Sequence, residues 1–222
     1  MNRFILKYGY AITVAILALL AWVVYRIVSA GGNGVTGFVI VAVIVWGLGT
    51  VVFIYLWPTF AYSAYKRAVL QHGLGGGPIP VNTLYAVPTL ASATASDASL
   101  LGTGTRDVLY VGGWLDLSNG PLVLHVPDLA GRYYSVQFTD PSKNTNFAYV
   151  GKRTTGTDAG DYLIVGPGWK GAVPQGMTRI SSPNNSVAVI GRVFVANDSD
   201  LPTAYALGRQ VQLVPLVVKA ST

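Results

Sequence analysis

The side chains of this sequence that could bind a ligand or move a proton lie in its second half. The candidate ligand-binding residues are Asp107, Tyr110, His125, Arg153 and Thr155. His125 would serve as a general base only if a carboxylate such as Asp116 or Asp128 held its ring. Arg153 and Thr155, in the stretch KRTTGT, combine a guanidinium with hydroxyls that suit a phosphate or a carboxylate.

Each of these segments also has a simpler structural explanation. Alternation in LVLHVPD places His125 on the strand face opposite Leu124 and Val126, where a hydrogen-bonded structural histidine is the commoner case. The threonines of KRTTGT suit a strand end, where their hydroxyls satisfy turn amides. The stretch VGPGWKG lacks the Ser or Thr that follows Lys in a P-loop, so it is interpreted as a hairpin loop. The sequence therefore assigns no catalytic residue.

Composition argues against most metal and cofactor sites. The chain has no cysteine, which excludes disulfides, thiolate catalysis and cysteine-ligated zinc or iron–sulfur clusters. His72 and His125 are the only histidines, all nine acidic residues are aspartates, and no EF-hand spacing occurs. We expect no metal and no cofactor. The net charge of +6 divides into +5 for residues 1–96 and +1 for residues 97–222, which does not favour a nucleic-acid partner.

Two uncharged runs near the N-terminus indicate a membrane anchor that would position these side chains. The runs extend from Tyr8 to Tyr25 and from Ile27 to Tyr65, and only Arg26 separates them. Each is long enough to cross a bilayer, which requires about 20 apolar residues. We predict two transmembrane helices at about 8–28 and 35–57, joined by a glycine-rich turn.

The anchor domain is predicted to cover residues 1–72. Pro58 should kink or end the spanning part of the second helix, and a helical extension follows it. Neither helix has an interior Asp, Glu, Lys or His, which argues against a transporter. The expected partners are the lipid bilayer and other membrane subunits, and Gly47 and Gly49 beside Trp46 would permit close helix contact.

The distribution of basic residues predicts the topology of this anchor. Arg3 and Lys7 precede the first predicted helix, Lys66 and Arg67 follow the second, and only Arg26 borders the turn. The positive-inside rule then places both ends of the hairpin, and the domain behind it, in the cytoplasm.

Residues 78–222 are predicted to form one β domain, which after Arg106 reads as short strands between turn signals. The predicted strands are Asp107–Gly112, Leu122–Val126, Tyr133–Thr139, Phe147–Lys152, Asp161–Val165, Thr178–Ser181, Val187–Val195 and Val211–Pro215. A short helix is predicted near Leu201–Arg209. The predicted fold is therefore two N-terminal transmembrane α-helices followed by an all-β, antiparallel sandwich-like domain with a short helix.

A series of motifs within Asp107–Pro215 is similar to a known family. WLDLS, LHVPD, RYY, RTTGT, YLIVGPGWKG, SP and GR follow one another in an order that resembles the bacterial domain of unknown function 1254 (DUF1254). At Thr105 to Tyr110 the chain keeps only the Asp, Leu and Tyr of an opening motif that looks like Asn-x-Asp-Thr-Leu-Tyr. The resemblance implies a β-sandwich-like fold and no particular reaction. It also implies export, which places the β domain in the periplasm, against the charge rule.

Two functions follow from these observations. The favoured hypothesis is a non-catalytic, membrane-anchored accessory or scaffold subunit of a larger membrane protein complex, because an inert anchor is joined to a domain without a recognisable catalytic set. The alternative is a membrane-tethered enzyme or small-ligand-binding domain with a pocket near the five candidate residues.

Overall fold

The structure, a computed structural model, describes residues 34–90 and 105–216, together with seven helical residues scattered between Ala18 and Ser29. The first predicted transmembrane helix, 8–28, therefore lies outside the described residues except at six positions, all of them helical. The glycine-rich turn that was predicted to follow it also falls almost entirely outside them.

One long helix, α1, forms the N-terminal part of the described chain. It runs without a break over Gly34–His72 and includes Pro58, so the proline does not end the helix. Among the described residues, α1 is the one helix that is long and apolar enough to cross a membrane. The chain divides into two compact units, residues 1–60 and 61–222, so the last three turns of α1 belong to the second unit.

The second unit, called here the β unit, has nine strands within the described residues. They are β1 (Leu84–Ala86), β2 (Val108–Asp116), β3 (Leu122–Val126), β4 (Tyr134–Asp140), β5 (Thr145–Gly151), β6 (Gly160–Val165), β7 (Met177–Ser181), β8 (Ser186–Phe194) and β9 (Gln212–Pro215). A short helix, α2 (Leu201–Gly208), follows a 3-10 turn at Asp198–Asp200. Asn197 caps that turn by accepting a hydrogen bond from the Asp200 N–H.

The strands form two sheets that pack face to face, as predicted for a sandwich. Sheet A has the order β1-β2-β8-β4-β5, and sheet B has the order β7-β6-β3-β9. Apolar side chains of both sheets share one core, in which Leu109, Phe138, Leu124 and Ile164 are fully buried. Burying such side chains contributes about 1.5–3 kcal/mol each, which makes this core the main source of the sandwich's stability.

Two details of the sheets differ from the prediction. The short strand β1 was not predicted, because residues 79–105 lack a clear alternation. Strand β7 pairs with β6 in parallel, so sheet B is not wholly antiparallel. The connecting segment, VGPGWKGAVPQG, is consequently not a hairpin loop but a longer return to the starting end of β6, since parallel neighbours cannot be joined by a tight turn.

The outer face of sheet A is covered by the last turns of α1. Val69 of the helix is buried in a small cluster with Leu74 and Tyr110. Tyr65 lies against Trp114, with the ring centroids 6.3 Å apart, and Trp114 is 2% exposed. The helix end thus forms a third layer of the β unit.

Two adjacent glycines of β2 allow this close packing. A Cβ atom at Gly112 would lie 2.6 Å from the Leu74 Cδ1 atom, at the far end of a flexible side chain. A Cβ atom at Gly113 would collide with the backbone carbonyl oxygen of Thr83, just before β1. Strand β1 and the segment after α1 therefore approach β2 only because these positions lack side chains.

We predict that the two glycines differ in their response to substitution. Gly113→Ala should lower the free energy of unfolding by about 3 kcal/mol, because backbone must move, whereas Gly112→Ala should cost about 1 kcal/mol as Leu74 shifts. Urea unfolding of both variants in detergent, followed by far-UV circular dichroism, measures the difference. Equal costs, or the reverse order, would show that β1 does not pack as described.

Candidate functional site

Two of the five predicted residues, Asp107 just before β2 and Tyr110 within it, have different surroundings. Tyr110 is buried on the outer face of sheet A, with the Arg192 guanidinium 5.7 Å from its ring centroid. Asp107 is exposed just before the strand, and its backbone carbonyl accepts a hydrogen bond from the Val195 N–H at 2.8 Å. Both residues therefore have structural roles. Asp107 ties the start of β2 to Val195, and Tyr110 packs in the cluster on the outer face of sheet A.

His125 lies on the outer face of sheet B, as alternation predicted. Its Nδ1 atom is 2.7 Å from the Asp161 Oδ1 atom on the neighbouring strand β6. The carboxylate partner is therefore Asp161 and not Asp116 or Asp128. Both side chains of the pair are about half exposed, at 50% and 43%, so the pair sits on an open surface.

Arg153 and Thr155 lie in the turn after β5. The Thr155 hydroxyl accepts a hydrogen bond from the Gly151 N–H at 3.0 Å, so it satisfies a turn amide. The Arg153 guanidinium lies 5.4 Å from the centroid of the Tyr133 ring. The five predicted residues are thus spread over both sheets and one turn, and none of them lines either of the two cavities described next.

The first cavity, of about 880 Å³, surrounds an ion pair between a loop and the start of α2. Arg132 Nη1 and Nη2 donate to both Asp200 carboxylate oxygens, at 2.6 and 2.7 Å, and Nη1 also donates to the Phe194 carbonyl oxygen at 2.7 Å. The Arg132 hydrogen bonds and the Ala196 N–H lower the pKa of Asp200 to about 2. Lys152 donates to a backbone carbonyl oxygen at 2.6 Å. Arg132, Asp200 and Lys152, the charged side chains that line this cavity, therefore already have hydrogen-bond partners within the fold, and these contacts stabilise it.

The second cavity, of about 460 Å³, lies between the end of α1 and the outer face of sheet A, and we call it the amide groove. Its lining residues come from α1, from β4, β5 and β8, and from the turn between β4 and β5; they are Ala61, Tyr62, Tyr65, Gln137, Thr139, Asn144, Asn146, Ala188 and Ile190. Six of these nine residues carry a carboxamide or a hydroxyl group, the remaining surface is apolar, and none of the nine is charged.

Hydrogen bonds hold the polar side chains of the amide groove in place. The Asn146 Oδ1 atom accepts from Gln137 Nε2 at 2.9 Å and from the Thr139 hydroxyl at 2.8 Å. Arg192 Nη1 donates to Gln137 Oε1 at 3.4 Å, and the Tyr62 hydroxyl donates to Asn144 Oδ1 at 2.8 Å. This network fixes which amide atoms remain free to meet a ligand.

A buried carboxylate stands next to the amide groove. Asp140, at the end of β4, is 1% exposed, and its Oδ1 atom accepts from Asn184 Nδ2 at 2.6 Å and from the Ser142 hydroxyl at 2.7 Å. Burial, and then the negative charge of Asp140, raise the pKa of Tyr62 above its usual value. Burial also raises the pKa of Tyr65. Both groove tyrosines are therefore protonated hydrogen-bond donors at neutral pH.

Sequence reasoning did not find the amide groove. Gln137, Thr139 and Asn146 are common strand and turn residues, and the tyrosines lie more than 70 residues before them. One signal was present: Gln137 and Thr139 put two polar side chains in succession on one face of a strand. Without knowing that α1 packs on that face, this signal is indistinguishable from ordinary solvent exposure.

Comparisons with known proteins agree with the fold. The family model "Protein of unknown function (DUF1254)" matches residues 81–215. The crystal structure of the VPA0106 protein from Vibrio parahaemolyticus, a structural genomics target, is 26% identical, with a TM-score of 0.52 over 73% of this chain. The chain spans only 36% of that protein's length. No curated protein sequence matches the chain.

The lowered pKa of Asp200 predicts an acid-sensitive contribution to stability. Because the folded-state value of about 2 is below the ordinary 3.8, this contribution is present above about pH 4 and is lost as the pH falls towards 2. Asp200→Asn should therefore lower the unfolding free energy by about 2 kcal/mol at pH 7 and by much less at pH 2.

Urea midpoints of the wild type and the Asp200→Asn variant at pH 7 and pH 2 provide the measurement. Asp107→Asn, at an exposed position outside any described ion pair, is the matched control and should change neither midpoint. A gap between wild type and Asp200→Asn that is the same at both pH values would contradict the assignment.

Proposed function

The chain belongs to the DUF1254 family, and we propose that it is a membrane-anchored, non-catalytic accessory or scaffold subunit of a larger membrane protein complex. The observation that carries the proposal is the exposed apolar surface of α1 before the β unit begins. Phe38, Trp46 and Tyr55 are 74%, 74% and 80% exposed, and apolar residues occur on every side of the helix. A helix that is apolar all round and unburied belongs in lipid or against other apolar helices.

The length of α1 fits such an anchor with a helical extension. At about 1.5 Å per residue, the apolar segment 35–57 spans about 35 Å, which covers a hydrocarbon core of about 30 Å. The polar residues Tyr62, Lys66 and Arg67 begin beyond that length. Lipid is therefore the proposed environment of residues 35–57, and the last turns of α1 pack within the β unit.

The site geometry supports a non-catalytic role. The charged groups around the cavity at Arg132 are engaged in structural contacts, and the amide groove offers no general base. The alternative, a membrane-tethered enzyme, is favoured by one observation: His125 Nδ1 lies 2.7 Å from the Asp161 carboxylate, a contact that could orient the imidazole as a general base. Among the described residues, however, no hydroxyl is hydrogen-bonded to His125. The other alternative, a small-ligand-binding domain, is supported by the amide groove.

The anchor is proposed to be a two-helix hairpin in a bacterial inner membrane, with residues 8–28 as the first span. The charge distribution then puts the β unit in the cytoplasm.

We predict that added protease digests the β unit in inverted membrane vesicles and leaves it intact in spheroplasts. A C-terminal epitope tag read by immunoblot reports the result, and a known periplasmic protein serves as the control for spheroplast integrity. Digestion in intact spheroplasts would instead place the β unit in the periplasm, as the family resemblance implies, and would refute the charge-rule topology.

We also predict that the middle of α1 contacts partner helices through its small residues. Among the described residues, nothing lies within 4 Å of a Cβ atom at Gly47 or Gly49, so leucine at either position would not disturb this chain. Gly47→Leu and Gly49→Leu should therefore reduce co-purification of partner subunits while the β unit remains folded. Extraction in a mild detergent followed by native mass measurement tests this.

Val51→Leu, at a position that is 65% exposed and already large, is the matched control and should leave assembly unchanged. Wild-type protein that runs as a lone chain would overturn the accessory-subunit proposal itself. Unchanged co-purification in both glycine variants would refute the contact surface.

A further inference from the structure

The amide groove contains hydrogen-bond donors that have no partner among the described residues, on side chains held in place by other hydrogen bonds. Asn146 Oδ1 is fully engaged by Gln137 and Thr139, whereas the Asn146 Nδ2 amide has no partner within the described part of the chain. The same holds for the Nδ2 amide of Asn144, whose Oδ1 atom accepts from Tyr62. Two exposed side-chain amides that line the groove, at the turn and at the start of β5, therefore have free N–H groups.

Tyrosines supply the opposite wall of the groove. Tyr62 and Tyr65 lie on one face of α1, and Tyr65 is held against Trp114. The Tyr62 hydroxyl donates to Asn144 and keeps lone pairs that can accept a hydrogen bond. The groove therefore combines free amide donors, hydroxyl acceptors and aromatic rings, the three features by which proteins hold a polar molecule with apolar ring faces.

The charges around the groove favour a neutral ligand. The lining has no charged side chain, while Asp140 lies on one flank and Arg192, bound to Gln137, lies on another. The groove lining itself therefore offers no charged side chain to hold a phosphate or carboxylate. The buried Asp140 carboxylate, close enough to raise the pKa of Tyr62, also repels anions.

We propose that the amide groove binds a neutral, polyhydroxylated ligand of sugar type. Vicinal hydroxyls would accept from the Asn144 and Asn146 amides and donate to the Tyr62 hydroxyl, while a ring face would pack on tyrosine. The volume of about 460 Å³ lies in the range of small-molecule sites and admits one or two sugar rings. This site goes beyond the accessory-subunit function and does not depend on it.

Two sources of such a ligand exist, and both present the same chemistry. Along α1, Tyr62 follows Phe60, the last exposed large apolar residue of the helix, by two positions. A sugar in the groove could therefore be a free saccharide or the headgroup of a glycolipid.

The test uses the full chain in nanodiscs. One arm titrates maltose into phosphatidylcholine nanodiscs and measures binding by calorimetry. The other compares the thermal unfolding midpoint of the β unit in nanodiscs with and without galactosyl diacylglycerol. Binding in the first arm identifies a free saccharide as the source, and a raised midpoint in the second identifies a lipid headgroup. The proposal is overturned if neither arm gives a signal, or if sodium phosphate binds as well as the sugar.

Variants connect the signal to the groove. Asn146→Asp keeps the oxygen that accepts from Gln137 and Thr139 but replaces the free amide by a carboxylate oxygen, and it should weaken binding about tenfold. Tyr62→Phe removes the hydroxyl that donates to Asn144 and that would accept from the ligand, and it should weaken binding several-fold even if Asn146→Asp perturbs folding. Asn119→Asp, the same change in an exposed turn, is the control and should bind as the wild type does. Unchanged binding in both groove variants would refute the site.

Discussion

The burial of Trp114 under the last turns of α1 is the interaction on which the other features of the β unit depend. Its ring lies against Tyr65, its indole N–H donates to the Ser186 hydroxyl at 2.8 Å, and the Lys66 ammonium lies 5.5 Å from the ring centroid. Lys66 also donates to Ser186 at 3.3 Å. Strands β2 and β8 and the end of α1 are thereby joined at one point. The end of α1 is consequently part of the folded β unit.

This arrangement gives one helix two roles. Its exposed apolar part suits lipid, while its last turns cover a sheet face that would otherwise expose Tyr110 and Trp114 to water. Because α1 covers only part of that sheet face, the amide groove remains open beside the helix, over β4 and β5. The packing of α1 on sheet A therefore also creates this groove, which has the helix on one side and a hydrogen-bonded amide network on the other.

Much of the fold could be predicted from local patterns, and the site could not. Alternation located most strands and put His125 on the correct face, because a half-buried strand has a period of two. The parallel pairing of β7 and the short β1 escaped prediction because long-range partners decide them. The five candidate residues were chosen for their individual chemistry, but the structure separates them. The groove residues became visible only when α1 was placed on sheet A, since residues far apart in the chain form it.

The central proposal is that α1 is divided between a membrane anchor and a structural layer of the β unit. Expression of a chain that begins at Ala61 tests this most directly, with membrane flotation and urea unfolding read on the same sample. The account predicts protein that is released from membranes and unfolds cooperatively, with the midpoint of the full chain. Protein that still floats with membranes, or that lacks a cooperative transition, would contradict it.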